Sequence, residues 1–180
     1  MAAGEGHIIA GHDRDDGEVT TAWSVTDIPV ADATAQDLLL RYMIDVSTSY
    51  QGRPPTDAEL DTVLAQHHND DLVPPAGFFL VARHDGEPAG CVGVRFGPAG
   101  FAELKRMFVA PGARGLGGGQ VLLAAAEQRA RTYGVRTMRL DTRLDLLAAR
   151  HLYTKHSYRE VPPFRTDNPY SQCWYAKQIS

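Results

Sequence analysis

A glycine-rich segment is the part of this sequence whose residue types most directly indicate chemistry. It reads Arg114-Gly115-Leu116-Gly117-Gly118-Gly119 and lies between a strand-like run and an amphipathic run. Glycines at a strand-to-helix junction let the backbone approach a ligand closely, and the free N–H groups of a first helical turn attract phosphate. Arg114 adds a guanidinium that can donate two hydrogen bonds to phosphate oxygens. The segment predicts a phosphate-binding loop; a loop without a ligand is the alternative.

The spacing of the loop excludes two common nucleotide-binding signatures. No Gly-Lys-Ser/Thr sequence ends it, as a Walker A loop requires. No GxGxxG pattern stands at a first strand–helix turn with an acidic residue about 20 positions later. A nucleotide-phosphate binder of another kind stays open as an alternative.

Composition sets the class of protein and excludes several partners. The chain has 180 residues, of which 43% are hydrophobic and 22% charged, which is typical of a globular domain. Its 18 Lys and Arg against 22 Asp and Glu give a net charge of −4, which argues against a nucleic-acid partner. We find no apolar run of about 18 residues and no secretion signal, so we predict no membrane partner and a cytoplasmic location.

Cysteine and histidine spacing predicts no metal site. Cys91 and Cys173 lie far apart without a CxxC pattern, which predicts buried free thiols. The cluster 67–71 reads His-His-Asn-Asp-Asp, and adjacent residues at a helix end rarely converge on one ion, so we interpret it as a solvated helix end. His7, His12 and Asp13 are interpreted as incidental for the same reason.

The surrounding elements form one predicted domain. Residues 1–18 are rich in Gly, Asp and His and predict a flexible tail, whereas 19–180 read as a single α/β domain. Hydrophobic periodicity and turn residues predict a strand within 19–30, helices over 32–50 and 56–68, and three antiparallel strands over 78–83, 89–96 and 101–109. A helix from the glycine loop to Tyr133, a strand over 137–142, a helix over 146–156 and strands over 159–164 and 172–179 follow. On the helix after the loop, Glu127 falls on the predicted solvent face.

Three motifs together resemble one family. Arg114-x-x-Gly117-x-Gly119 is similar to the Arg/Gln-x-x-Gly-x-Gly/Ala signature of the GCN5-related N-acetyltransferases (GNAT). The run 103–111 resembles the fourth strand of that family, and Ala149-x-x-Leu152-Tyr153 resembles its later helix motif. The resemblance covers about 19–179. It implies a mixed, mostly antiparallel sheet flanked by helices, with a splayed pair of parallel strands.

The resemblance also implies a cofactor site for acetyl-CoA in the gap between the splayed strands. Backbone groups of Met107, Phe108 and Val109 would bind the pantetheine arm. The N–H groups that would hold the pyrophosphate come from the loop and the first helical turn, namely Arg114, Gly115, Leu116, Gly117, Gly118, Gly119 and Gln120. The sequence departs from the family pattern at Leu146, where many members have Asn, and at Ser157, where Gly is usual.

Two catalytic residues are implied by the same resemblance. Glu103 would be the general base that takes a proton from the acceptor amine, because an ammonium cannot attack a thioester. The alternative is a solvated strand residue paired with Lys105, in which case Asp141 is a weaker candidate base. Tyr153 would be the general acid for the departing CoA thiolate; core packing is its alternative and is compatible with that role.

The predicted function is therefore transfer of an acetyl group from acetyl-CoA to a primary amine by direct attack, without a metal. A non-catalytic acyl-CoA-binding sensor is the alternative. We expect the acceptor pocket to draw on Tyr42, Tyr50, Phe96 and the segment 162–170. The acceptor itself is not identified by the sequence, although the acidic net charge favours a cationic amine, and a homodimer is left open.

Overall fold

The computed structural model describes residues 23–165 and 167–179, and the predicted flexible tail lies outside them. Within these residues the chain forms seven strands and four α-helices in the predicted order. The strands are β1 Trp23–Asp27, β2 Gly77–His84, β3 Glu87–Phe96, β4 Phe101–Val109, β5 Thr137–Thr142, β6 Arg159–Val161 and β7 Cys173–Gln178. The helices are α1 Ala33–Gln51, α2 Asp57–Gln66, α3 Gly118–Thr132 and α4 Leu147–Lys155.

The sheet has one parallel pair, and that pair separates along its length. The strand order is β1-β2-β3-β4-β5-β7-β6, and neighbours are antiparallel except β4 and β5. β4 pairs with β5 only through Phe101, Ala102 and Glu103, the first three of its nine residues. Beyond Glu103, β4 has no strand partner on that side within the described chain. The predicted splay is therefore confirmed.

Helices cover both faces of this sheet. On one face α3 packs on β1–β4 over a large cluster that includes Leu122, Leu123 and Met138, each at most 1% exposed. On the other face α1 covers a smaller cluster that includes Leu38 and Phe79. α1 and α2 begin with side-chain caps: Asp32 accepts from the Thr34 amide at 2.8 Å, and Thr56 and Glu59 form a capping box.

Three local features differ from or refine the prediction. β6 ends at Val161 rather than 164, because the two prolines that follow have no N–H to donate to a sheet. Glu127 is 5% exposed, not on the solvent face, since Lys177 of β7 covers it and donates to both carboxylate oxygens at 2.7 and 2.8 Å. Ser157 adopts the left-handed backbone conformation of this turn, with φ +68°, at the position where the family usually has Gly.

Candidate active site

A cleft of ≈ 930 Å³ opens where β4 and β5 separate. Its walls come from the end of β4, the loop before α3, the end of β5 and α4, and from α1 and α2 across the sheet. Since β4 has no strand partner beyond Glu103 on this side of the described chain, an extended ligand can add hydrogen bonds there as a missing strand would, although the Val109 carbonyl already accepts from Arg114.

The glycine loop turns the chain so that the N-terminus of α3 opens into this cleft. Gly115 and Gly117 have φ of +81° and +86°, a region that side chains rarely adopt. Gly117 is the N-cap of α3, and no side chain caps the helix. The first amides of α3, at Gly118, Gly119 and Gln120, therefore face the cleft without intrahelical partners, which suits an anionic ligand.

Two neighbours fix the position of this loop. The indole N–H of Trp23 donates to the Leu116 carbonyl at 2.7 Å, and its ring lies so close to Gly118 that an added Cβ would be 2.4 Å from it. A Cβ on Gly119 would lie 3.1 Å from a methyl of Leu152. Sequence reasoning missed Trp23, because no local signal in a strand 93 positions away indicates contact with the loop.

Arg114 stands at the mouth of the cleft and already has two protein partners. Its Nε donates to the Val109 carbonyl at 3.0 Å, and its Nη2 to Asp45 Oδ2 at 2.8 Å. The pairing with Asp45 is half exposed, so it contributes little stability and an anion can compete for it.

The end of β4 brings the predicted pantetheine-binding residues to the same cleft. Met107, Phe108 and Val109 all line it, as do the loop and helix residues predicted for the pyrophosphate, apart from Leu116. Before them Arg106 has φ +54°, and the β3–β4 register shifts between Cys91 and Gly93. This bulge turns the strand and exposes its backbone to the gap. The structure thus assembles the predicted cofactor residues in one place, although contact with a ligand stays a prediction.

Tyr153 on α4 lines the cleft although it is only 4% exposed. Its ring packs against Tyr158 and Tyr175, with centroids 5.8 and 6.2 Å away. Burial raises the pKa of Tyr153, so the hydroxyl stays protonated at physiological pH. The hydroxyl makes no hydrogen bond to another described residue. Both anticipated roles, packing and proton donation, are compatible with this geometry.

Glu103 lies at the last paired position of β4 and does not line the cleft. It is 5% exposed, and its carboxylate accepts from Arg139 at 2.7 Å, from Arg165 at 3.3 Å and from Arg95. The alternative pairing with Lys105 was wrong, because these arginines occupy both oxygens.

The surroundings of Glu103 also set its pKa. Burial alone would raise the pKa, but hydrogen bonds from Arg139 and Arg95 outweigh it and hold the pKa below its ordinary value. A carboxylate with a lowered pKa has little tendency to take a proton. The role of Glu103 as a base stays a prediction from the resemblance, and its geometry is that of an ion-pair anchor.

Asp141 on β5 lines the cleft. Its Oδ2 accepts hydrogen bonds from Asn168, at 3.0 Å, and from the Ser171 hydroxyl. Its Oδ1 is 3.9 Å from Arg165 and accepts no hydrogen bond from the described residues. Among the candidates named from sequence, Asp141 is therefore the carboxylate that the fold exposes to the cleft.

The structure brings part of the residue set predicted for the acceptor pocket to the cleft, while the acceptor role stays a prediction. Tyr42, Tyr50 and Tyr170 line the cleft, and the last two form an edge-to-face pair with centroids 5.1 Å apart. The prediction for Phe96 was wrong. Its ring packs against Phe78 and Tyr133 beneath α3, because its position in β3 points to the opposite face of the sheet. Residues 162–164 do not line the cleft.

The remaining candidates are structural. Cys91 and Cys173 are buried free thiols, as predicted, and burial raises the pKa of Cys91 to about 12. In the cluster 67–71, Asn69 accepts from Arg106 and Asp71 from Arg95, so it is bound to β3 and β4 rather than solvated. Among residues 23–165 and 167–179, no three metal-ligating side chains come together and no helix is long and apolar enough to cross a membrane.

Comparison with known proteins agrees with this fold. The model of the acetyltransferase (GNAT) family matches residues 40–158, and the chain belongs to that family. It is 40% identical over 93 residues to an uncharacterized N-acetyltransferase of Schizosaccharomyces pombe, covering 51% of this chain and 57% of that one. It is 36% identical over 99 residues to the IAA acetyltransferase of Azospirillum brasilense, covering 54% and 65% respectively. Each match thus spans less than two thirds of the relative.

A solved structure shares the fold over most of the chain. The PaiA N-acetyltransferase of Thermoplasma acidophilum, determined in complex with coenzyme A, superposes with a TM-score of 0.66 over 87% of this chain and 99% of that one. The two are 17% identical, so this similarity concerns the fold alone.

Proposed function

We propose that the protein transfers an acetyl group from acetyl-CoA to a primary amine. The observation that carries this proposal is the meeting, in one cleft, of the uncapped N-terminus of α3 with the unpaired edge of β4. The first suits a pyrophosphate and the second an extended amide-containing arm, which together are the features of CoA. The N-acetyltransferase names of the relatives support the reaction type.

The residues of the cleft fit direct attack by a neutral amine. The cofactor supplies an activated thioester carbonyl. The backbone N–H of Val109, which points away from β3, donates to the carbonyl oxygen as negative charge develops there. Asp141 takes the proton that the amine loses on forming the new C–N bond. As the C–S bond breaks, the protonated Tyr153 hydroxyl donates to the departing thiolate.

The surroundings of Asp141 suit a general base better than those of Glu103 do. Its Oδ1 accepts no hydrogen bond within the described chain, whereas both oxygens of Glu103 accept from arginines. In addition, Glu103 does not line the cleft.

Two measurements test the proposal. Calorimetric titration of CoA tests the binding site, and release of free thiol from acetyl-CoA in the presence of an amine panel tests the chemistry. We expect saturable CoA binding and amine-dependent thiol release. Tight CoA binding without turnover on any amine would instead indicate a sensor, and equal competition by ATP would indicate a general nucleotide-phosphate binder.

A further inference from the structure

One corner of the cleft brings together two cationic side chains and a histidine. Lys105 and Arg106 of β4 and His67 at the end of α2 all line it. Arg106 is held by the Asn69 side chain, at 2.9 Å, and by the His68 carbonyl, both of them neutral groups. In the described part of the chain neither Lys105 nor Arg106 has a carboxylate within 4.0 Å. This corner, Lys105, Arg106 and His67, is called the basic corner below.

The acidic residues around the cleft are already engaged elsewhere. Asp45 is paired with Arg114 and Asp145 with Arg143. Asp141 accepts from Asn168 and Ser171. Glu103 lies two residues before Lys105 on β4, and three arginines share its carboxylate. None of these carboxylates forms an ion pair with Lys105.

The titration of two of these groups reflects the same positive potential. Burial, together with Arg95, Arg165 and Arg106, lowers the pKa of Lys105 against the opposing effect of Glu103. Burial, Arg106, Lys105 and His68 lower the pKa of His67. Like charges that depress one another create a site where a bound anion is stabilised, because it relieves their repulsion.

We propose that the basic corner binds an anionic group of the acceptor, so that the substrate is an amine bearing a carboxylate or a phosphate. Lys105 binds the anionic group directly, because its ammonium has no ion-pair partner in the described chain. Arg106, held in place by Asn69 and His68, adds to the positive electrostatic potential at this group. This refines the sequence expectation of a cationic amine, since net charge averages over the surface and does not describe one corner. The inference rests on the proposed acetyl transfer.

The test compares acceptors that differ only in the anionic group. Acetyl-CoA is combined with the twenty common amino acids and with their carboxamides, and phosphoethanolamine with ethanolamine, at equal concentrations of unprotonated amine. We expect the best acceptor to carry the anion and to exceed its neutral counterpart about tenfold or more in kcat/KM, the effect of one charge-assisted hydrogen bond. The first set identifies a carboxylate and the second a phosphate.

The Lys105→Met variant tests whether the preference for anionic acceptors comes from the basic corner. It should reduce the ratio between the anionic and neutral acceptors to near one, with the larger loss of kcat/KM on the anionic acceptor. Arg159→Met is the charge-matched control, because Arg159 is exposed on β6 and outside the cleft, and it should keep the wild-type ratio.

Each result decides the inference separately from the proposed function. Turnover that favours neutral amines, or an anion preference unchanged in Lys105→Met, would overturn the inference and leave acetyl transfer standing. If no amine releases thiol, acetyl transfer fails. The inference is then decided by the affinity of N-acetyl amino acids and their amides for the CoA-loaded protein: equal affinities overturn it, and a Lys105-dependent preference for the acids upholds it.

Discussion

The indole of Trp23 holds the backbone of Leu116, with Nε1 donating to the carbonyl oxygen at 2.7 Å. Because that carbonyl points to β1, the amides that follow it, from Gly118 onward, are directed to the cleft. The same ring leaves no space for a side chain at Gly118. A residue of the first described strand thus positions the loop that we assign to the pyrophosphate.

Replacing Gly118 tests this arrangement. In Gly118→Ala the new methyl would come within 2.4 Å of the Trp23 ring, so the ring or the loop must move. We expect CoA affinity to fall about tenfold or more, equivalent to roughly 1.4 kcal/mol, measured by calorimetric titration. Gly112→Ala is the matched control, because a Cβ there meets nothing within 4 Å. Equal affinities in the two variants would contradict the role of the Trp23 contact.

Tyr153→Phe separates the hydroxyl of Tyr153 from its ring. The ring packing is retained, so acetyl-CoA affinity should stay within about twofold, while the rate of a single turnover should fall by about tenfold or more. Tyr133→Phe is the control, since that tyrosine is 44% exposed and does not line the cleft. An unchanged single-turnover rate in Tyr153→Phe would leave only the packing role.

The pH profile gives a second measurement on Tyr153. Because burial raises its pKa, the hydroxyl stays protonated well above neutral pH. We therefore expect no loss of rate from ionisation of Tyr153 as pH rises from 7 to about 10. An alkaline decline that is present in the wild type and absent in Tyr153→Phe would contradict the raised pKa.

Asp141→Asn tests the proton acceptor. The amide keeps the size of the side chain but cannot take a proton, so the neutral-pH rate should fall about 10²- to 10⁴-fold with CoA affinity unchanged. Part of the rate should return at high pH, where more of the acceptor is already the free amine. The neutral-pH rate of Glu103→Gln, measured under conditions in which this variant is folded, should fall far less. The reverse order of the two rates would restore Glu103 as the base.

Local chemistry made most of the fold and the cofactor loop predictable. The alternation of β2–β4 and the glycine-rich junction before α3 are properties of short segments, so periodicity and residue type indicate them directly. The assignment of Phe96 to the wrong face arises because alternation gives two faces but not which one meets the cleft. The prediction of β6 extends to 164 instead of ending at Val161 because it includes the prolines that follow as part of the strand.

The electrostatics of the site could not be predicted in the same way. Glu103 is surrounded by Arg95, Arg139 and Arg165, which are 8, 36 and 62 positions away in the chain. These three arginines meet at Glu103 only in the folded chain. The β3–β4 hairpin brings Arg95, the parallel pairing of β4 with β5 brings Arg139, and the segment after β6 brings Arg165. Likewise, Lys105 lacks an ion-pair partner because the three arginines bind the Glu103 carboxylate, and no sequence pattern indicates which of these cations pairs with it.

Glu103→Gln tests the anchor by its effect on stability. Glu103 is buried with three guanidinium groups, and removing its charge leaves them without their shared partner. Because Arg95 and Arg165 keep Asp71 and Asp167 as partners, the loss is that of charge-assisted hydrogen bonds, so the free energy of unfolding at pH 7, measured with urea, should fall by about 1.5–3 kcal/mol. Glu87→Gln is the control, because Glu87 is exposed and has no ion pair among the described residues.

The dependence of that difference on pH follows from the pKa of Glu103. The pKa is lower in the folded protein than the ordinary 4.5, so the folded state binds this proton less well than the unfolded state does. The stabilisation is therefore complete above about pH 5 and declines as pH falls below 4.5 and through the folded pKa. We expect the wild type to approach Glu103→Gln in stability between pH 5 and pH 3, whereas Glu87→Gln should differ little from the wild type at either pH. A difference between wild type and Glu103→Gln that stays constant over this range would mean that the Glu103 carboxylate is not the charge that holds the three arginines.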